Sequence, residues 1–455
     1  MENLLEQDQK ALILSHDIKK LVWKLSLPSI ASMVLFGLNT VSDSIFVGQL
    51  IGQAALSGVA LAGPLTAIVL GFGYWIGTGA ANVLSIALGA DDKKTQQGIL
   101  ANTAILTLAM TLLFALPIYL AAEPLIKMMG GKGEILAQGV IYFKTTVLGA
   151  VFWIYGMSLN LIIRGEGKMR KSAMMVVYGL VVNITLTPFF IIILGTGVEG
   201  AAWATNVGML VFSMDGILYF KNGKASFIAN IGSFKYDKEI AKKIIRNGFP
   251  GFIFNIMALV QAMVVFNVVI KIGNEKDVAF FAAANVIYLF LMTPLYGLMR
   301  AFQPVAGINY GAKQYDRIKK GFYSFTYSGL LLITPFWVFI MLFPKIILQL
   351  IIPTIELSDI YLWYFRVYVF VLPFLPLVFM ALMLFPAINK SKYASMIVLV
   401  RQLVVYIPAM LILPKYIGIS GVYIGSTIVN LMVAIWTIWL VWREFKYLKR
   451  NEGGN

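Results

Sequence analysis

The amino-acid sequence predicts an all-α integral membrane protein of twelve transmembrane helices arranged as two pseudo-symmetric six-helix bundles. Two observations carry that prediction. The first is composition. Over 455 residues, 59% are hydrophobic, only 13% are charged and the mean hydropathy is +0.82, well outside the range of a water-soluble domain. The second is an internal repeat at an offset of 222 residues. Pro28 and Pro250 open matching apolar segments, Gly89-Ala90 and Gly311-Ala312 close matching ones, and Gly167-Lys168 pairs with Asn389-Lys390. Duplicated halves are a recurrent construction of membrane transporters, with the working site within or between them.

A helix needs about 20 mostly apolar residues to cross a bilayer, and lipid offers the backbone no hydrogen bonds, so long apolar runs must be helical. The predicted spans are 26–48, 55–82, 97–121, 136–160, 170–194, 198–220, 248–271, 278–302, 320–343, 358–386, 393–413 and 418–442. They divide the chain into an N-terminal bundle (1–220), a polar linker (221–246) and a C-terminal bundle (247–455). Within the linker, apolar and basic residues alternate at helical spacing over Lys238 to Ile245, the pattern of a short amphipathic helix on the membrane surface or of a solvated connector. With the N-terminus in the cytoplasm, the inner segments hold 28 of the 37 Lys and Arg, the outer loops 6, and the spans 3. This asymmetry predicts a cell (inner) membrane protein with both termini cytoplasmic. It also assigns the net charge of +16 to orientation and anionic lipid headgroups, so no nucleic-acid partner is expected. Cysteine is absent, excluding disulfides and thiolate metal sites, and the polar stretch Met1 to His16 lacks the pattern of a signal peptide.

An ionisable group at the centre of a span costs on the order of 3 kcal/mol on insertion scales. Asp43, in Asn39-Thr40-Val41-Ser42-Asp43-Ser44-Ile45-Phe46-Val47-Gly48, has no basic residue within one helical turn. It either sits at the helix end near the outer surface or faces a hydrated cavity where it binds a proton or cation. Arg401, beside Gln402, lines a cavity, snorkels or pairs with an acid such as Asp359. Lys144 and Arg366 snorkel; Asp215 lies beside Lys221; and Glu166, between Arg164 and Lys168, belongs to an ion-pair set. Met257, Met263, Tyr288 and Met292 are either an adaptable cavity wall or ordinary packing. Prolines in or near spans, notably Pro188, Pro294, Pro335, Pro373, Pro376 and Pro408, permit bends.

Four stretches together resemble the multidrug and toxic compound extrusion (MATE) family, in its DinF-like or MepA-like branch. They are Pro28 with Val41 to Gly48; Arg164-Gly165-Glu166-Gly167-Lys168-Met169-Arg170; Gln303 to Lys313; and Arg401-Gln402 with Pro408 and Leu413-Pro414. The resemblance implies a V-shaped antiporter that expels amphipathic, often cationic small molecules in exchange for Na⁺ or H⁺. It implies no cofactor, a monomer and membrane lipid as surroundings. It further implies a coupling site in the N-terminal half at Asp43, Asn183, Thr187 and Thr205. At Thr187 the family pattern Asn-x-x-Leu-Asp-Pro has an aspartate, so this chain lacks the second carboxylate. Any Na⁺ would rest on Asp43, Asn183 and Thr205. At the repeat offset, Asn39 falls on Gln261 and Asp43 on Val265, so the C-terminal half keeps a polar position but loses the acid. The substrate cavity is expected to include Asn39, Gln261, Met257, Met263, Tyr288, Met292 and Arg401. The alternatives are a flippase for lipids or lipid-linked oligosaccharides of the same superfamily and, more remotely, a membrane-embedded enzyme. The enzyme reading lacks a histidine within the spans, paired carboxylates or a P-loop.

Overall fold

Residues 9–229, 235–353 and 357–452 are described by the computed structural model, and all their regular structure is helical. The first residues of the polar N-terminal stretch and residues 230–234 of the expected linker lie outside this set. Twelve spans follow one another. They are α1 Ile18–Leu50, α2 Gln53–Gly89, α3 Lys93–Leu120, α4 (the bent pair Gly133–Leu148 and Ala150–Gly165), α5 Met169–Ile193, α6 Gly197–Lys221, α7 Lys238–Ile272, α8 Glu275–Gly311, α9 Tyr315–Leu342, α10 Asp359–Ala387, α11 Ser391–Ile417 and α12 Ser420–Glu452. The predicted spans match in order, but several helices run past the predicted ends. The stretch Lys238 to Ile245, expected as a short surface helix or a solvated connector, is instead the opening of α7. Asp237 caps it, accepting from the backbone N–H groups of Glu239 and Ile240, and the helix runs on through Gly248, Pro250 and Gly251 into the apolar stretch that follows.

Local sequence explains the irregularities. α4 bends by 56° at Gly149, where the side chain of Asn206 on α6 occupies the space a Cβ would need. Asn206 donates to the backbone carbonyl of Thr145 at 2.6 Å and accepts from Trp153 Nε1 at 3.0 Å, so the carbonyl released by the bend stays bonded. α5 widens into a π-helical turn, Phe189–Ile193, immediately after Pro188. α10 is interrupted by the 3₁₀ turn Leu372–Phe374 that contains Pro373. α11 holds the longest π segment, Val400–Tyr406, just before Pro408, whose missing N–H leaves the preceding turn free to widen.

The two halves meet at the end of the molecule that carries both chain termini. There Gly79 of α2 lies against Gly248 of α7, and Gly89 of α2 against Gly311 of α8; a Cβ at any of the four would strike backbone of the opposite half. Gly89 and Gly311 are equivalent positions of the repeat, so their contact marks the pseudo-two-fold axis. Polar contacts reinforce the seam. Gln303 Nε2 donates to Asn82 Oδ1 at 2.9 Å and Ser85 Oγ at 3.1 Å, and Trp75 Nε1 to the Ile245 carbonyl at 2.9 Å. A short helix, Gln9–Ser15, lies across the seam, where Arg317 of α9 donates to the carbonyls of Ile13 and His16, each at 2.8 Å. Towards the other end, Gly37 and Gly63 have open space where a side chain would be.

Candidate functional site

Within the first half, α1, α5 and α6 surround a small cavity of about 40 Å³ lined by Phe36, Asn39, Asn183 and Thr205, among others. Asn39 and Asp43 are one helical turn apart and share a face, so Asn39 Nδ2 donates to Asp43 Oδ2 at 3.3 Å. Asn183 Nδ2 donates to Thr205 Oγ1 at 3.1 Å, and Thr205 in turn donates to the Ala201 carbonyl. The Asn183 side chain faces the Asp43 carboxylate. Two buried oxygens have no hydrogen-bond partner, Asp43 Oδ1 and Asn183 Oδ1. Unpartnered buried acceptors are expensive, and a proton on Asp43 or a small hard cation would satisfy them. Thr187 is fully buried, but its hydroxyl donates to the Asn183 carbonyl at 2.8 Å and it is not part of the cavity wall. Tyr142 of α4, which the sequence did not single out, places its hydroxyl beside Thr205 and near Asp43. Nothing in the chain's 21 tyrosines distinguishes it. Among the described residues no three His, Cys, Asp or Glu side chains cluster as a metal site.

The second half holds a larger cavity of about 320 Å³. Met257, Gln261, Tyr288, Met292 and Arg401 line it, together with Asn285, Tyr368, Gln402 and Tyr406, and with Val265 at the position equivalent to Asp43. Asn39 lies apart from these in the first half, and Met263 lies outside the cavity, 42% exposed on the helix exterior. Arg401 and Gln402 sit on the π segment of α11. Arg401 Nε donates to Asn430 Oδ1 at 3.2 Å; its partner is this amide, and no ion pair to Asp359 forms. The seam holds a third cavity, about 220 Å³, lined by Tyr74, Thr78, Arg164, Asn255, Tyr296, Arg300 and Gln303. Phe254, Ala258, Tyr296, Leu382 and Val398 line both this cavity and that of the second half, so the two are contiguous. Among the described residues, no Asp or Glu lines either one. This lining runs against the expectation of a cationic substrate, because arginine fields repel cations and no carboxylate offsets them.

Other charges also settle differently from expectation. Asp215 pairs with Lys171 at 2.7 Å rather than lying with Lys221, because Lys171 rises from α5 onto the neighbouring face of α6. Glu166 forms no ion pair within its own loop. It is buried, accepts the Ser226 backbone N–H at 2.6 Å and faces the Tyr219 hydroxyl at 3.3 Å, and burial pushes its carboxyl up to about 7. Its neighbour Lys168 donates instead to the Lys224 carbonyl and lies over the Tyr219 ring. Lys144 lies over Tyr119, and Arg366 donates to the Met341 carbonyl at 3.0 Å.

The MatE family model matches the chain twice, over residues 28–189 and 250–412, one copy in each half. The chain belongs to the MatE family. It is 25% identical over 295 residues to the multidrug export protein MepA of Staphylococcus aureus (strain NCTC 8325 / PS 47), an alignment covering 65% of each chain, just short of two thirds of that relative's length. A crystal structure of a MATE protein in the bent conformation superposes with a TM-score of 0.92 at 26% identity, covering 98% of this chain and 99% of the other. An outward-facing multidrug resistance MATE transporter of the MOP superfamily gives 0.87 at the same identity, covering 96% and 98%. The chain is thus a multi-pass membrane protein of a family of transporters, not of enzymes.

Proposed function

We propose that this protein is a secondary antiporter of the cell membrane that exports amphipathic small molecules in exchange for H⁺ or Na⁺ by alternating access, with coupling at Asp43. The observation that carries the reading is the pair of unpartnered oxygens, Asp43 Oδ1 and Asn183 Oδ1, beside a cavity of ion size. An empty, charged Asp43 is unfavourable there, so one half of the transport cycle is driven by taking up a cation and the other by releasing it. Asn39, Asn183 and Thr205 orient and solvate the cation, and Tyr142 closes the pocket from α4. With Thr187 in place of an aspartate, a single carboxylate takes a single positive charge. H⁺ is the favoured ion, because losing a charged ligand weakens Na⁺ coordination more than it weakens protonation.

The adaptable wall of Met257, Tyr288 and Met292 supports a large, weakly specific substrate cavity in the second half. We assign 1–220 and 247–455 as the two bundles and the terminal end as cytoplasmic, which makes the open V outward-facing. Single cysteines at Lys93 and Lys224 should then react with impermeant reagents only from inside, and one at Lys132 only from outside. The coupling test is extrusion of fluorescent amphiphiles of positive, neutral and negative charge from proteoliposomes under a separately imposed pH or Na⁺ gradient. Asp43→Asn should abolish gradient-driven extrusion of whichever probe the wild type moves. Wild-type extrusion by Asp43→Asn would remove Asp43 from the mechanism.

A further inference from the structure

The cavity at the seam straddles the pseudo-two-fold axis. Tyr74 and Tyr296 are equivalent positions of the repeat, as are Leu161 and Met383, and all four line it. Its arginines break that symmetry. Arg164, on the first half, has Pro386 as its equivalent; Arg300, on the second, has Thr78. The sequence therefore places one guanidinium in each half, in a single cavity, through two separate changes.

No Asp or Glu among the described residues pairs with either guanidinium; the Tyr74 hydroxyl is the polar group that meets Arg300. Arg164 is buried, with Nε on Ser172 Oγ at 2.6 Å and Nη2 on Ser32 Oγ at 3.2 Å, both neutral acceptors. Arg300 lies 4.8 Å from the centre of the Tyr74 ring. Each keeps a buried Nη1 without a partner, and the two charges lie near enough to repel each other. Two like charges in a low-dielectric space, each with a free donor, are unfavourable unless something negative joins them. The remaining wall is largely apolar, and it continues through Phe254 and Leu382 into the cavity of the second half.

We propose that this seam cavity is a binding site for the anionic headgroup, a phosphate or carboxylate, of an amphiphile whose apolar body extends towards the second-half cavity. Guanidinium forks match both headgroups in geometry and charge. Because the two arginines belong to different halves, a bound anion bridges them and holds the terminal end shut. The site is independent of the coupling role of Asp43, and the two are tested on different readouts.

The test is thermal unfolding of the full-length protein in neutral detergent, titrated with dodecyl phosphate, dodecyltrimethylammonium and inorganic phosphate. Dodecyl phosphate should raise the midpoint by several degrees, saturably, and the cation of equal chain length should not. Arg300→Gln should weaken that effect at least tenfold, and Arg300→Lys, which keeps the charge without the fork, should fall between the wild type and Arg300→Gln. Equal stabilisation by both headgroups, or an unchanged response in Arg300→Gln, overturns the proposal; the first comparison needs no variant. Stabilisation by inorganic phosphate as strong as by dodecyl phosphate also overturns it, since the apolar body would then contribute nothing. Nanodiscs separate the sources. If phosphatidylglycerol discs, unlike phosphatidylcholine discs, leave no further response to dodecyl phosphate, the natural occupant is a lipid; a response in both identifies a soluble amphiphile.

Discussion

The two halves began as copies and now differ most where it matters. The first holds a cavity of about 40 Å³ beside Asp43, and the second one of about 320 Å³ beside Val265. Between the copies Thr205 corresponds to Thr427 and Tyr142 to Tyr364, both retained, whereas Asp43 and Asn183 face Val265 and Val405. The second half lacks the acid and its amide but keeps the framework, and there the structure has an apolar, aromatic chamber. In that chamber Arg401, held by Asn430, is the charge left over. The proposed division of labour between the duplicated bundles thus rests on two differences in polar side chains within a shared helical framework.

The largest effect should come from trying to reverse that division. Asp43→Val should reduce gradient-driven extrusion to background, and adding Val265→Asp should not restore it, because Val405 offers no amide to complete the pocket. Recovery of coupled transport in the double variant would mean that any carboxylate at this depth suffices. Next in size is Thr187→Asp. A second buried carboxylate one turn from Asn183 should destabilise the protein without salt and make it respond to Na⁺. At 100 times the dissociation constant the recovery would be about 2.7 kcal/mol, read as a Na⁺-dependent rise in unfolding midpoint that the wild type lacks.

Glu166 gives a third contrast, since its equivalent in the second half is the buried Ile388. Burial raises the folded-state Glu166 to about 7, above its ordinary value of 4.5, with Lys168 nearby opposing the rise. An acid raised on folding binds its proton more tightly in the native state. Its contribution is therefore greatest below about 4.5, falls as pH rises, and is lost above about 7, a span of about 3 kcal/mol at most. Glu166→Gln should flatten the fall in unfolding midpoint between pH 5 and 8, and an unchanged slope would assign the pH dependence elsewhere. The smallest effects concern the chamber wall. Met292→Ala should raise the KM for an exported dye severalfold, whereas Met263→Ala, on the exposed face, should leave it unchanged; equal effects would erase the distinction between wall and exterior.

Much of this architecture was legible in the chain. Hydropathy marks every span, because the bilayer imposes a length and a backbone rule that local sequence must obey. The shared face of Asn39 and Asp43, and most of the second-half wall, follow from helical spacing and the repeat. Tyr142 and the seam arginines were not legible as site residues. Their roles depend on which helices cross, and at Arg164 the adjoining Glu166 suggested an ion pair that the fold prevents by turning that carboxylate towards Ser226 and Tyr219. Met263 misled for a related reason, since one helical face meets the chamber and the next meets the exterior.

The short helix Gln9–Ser15 precedes α1 of the first half, yet Arg317 of the second half grips the carbonyls at its end. It therefore ties the first half to the second at this end of the molecule. At about 1.5–3 kcal/mol for a hydrogen bond to a charged group, that tie is worth roughly tenfold or more in any equilibrium that breaks it. Arg317→Ala should therefore loosen the terminal end without touching any residue that lines the three cavities.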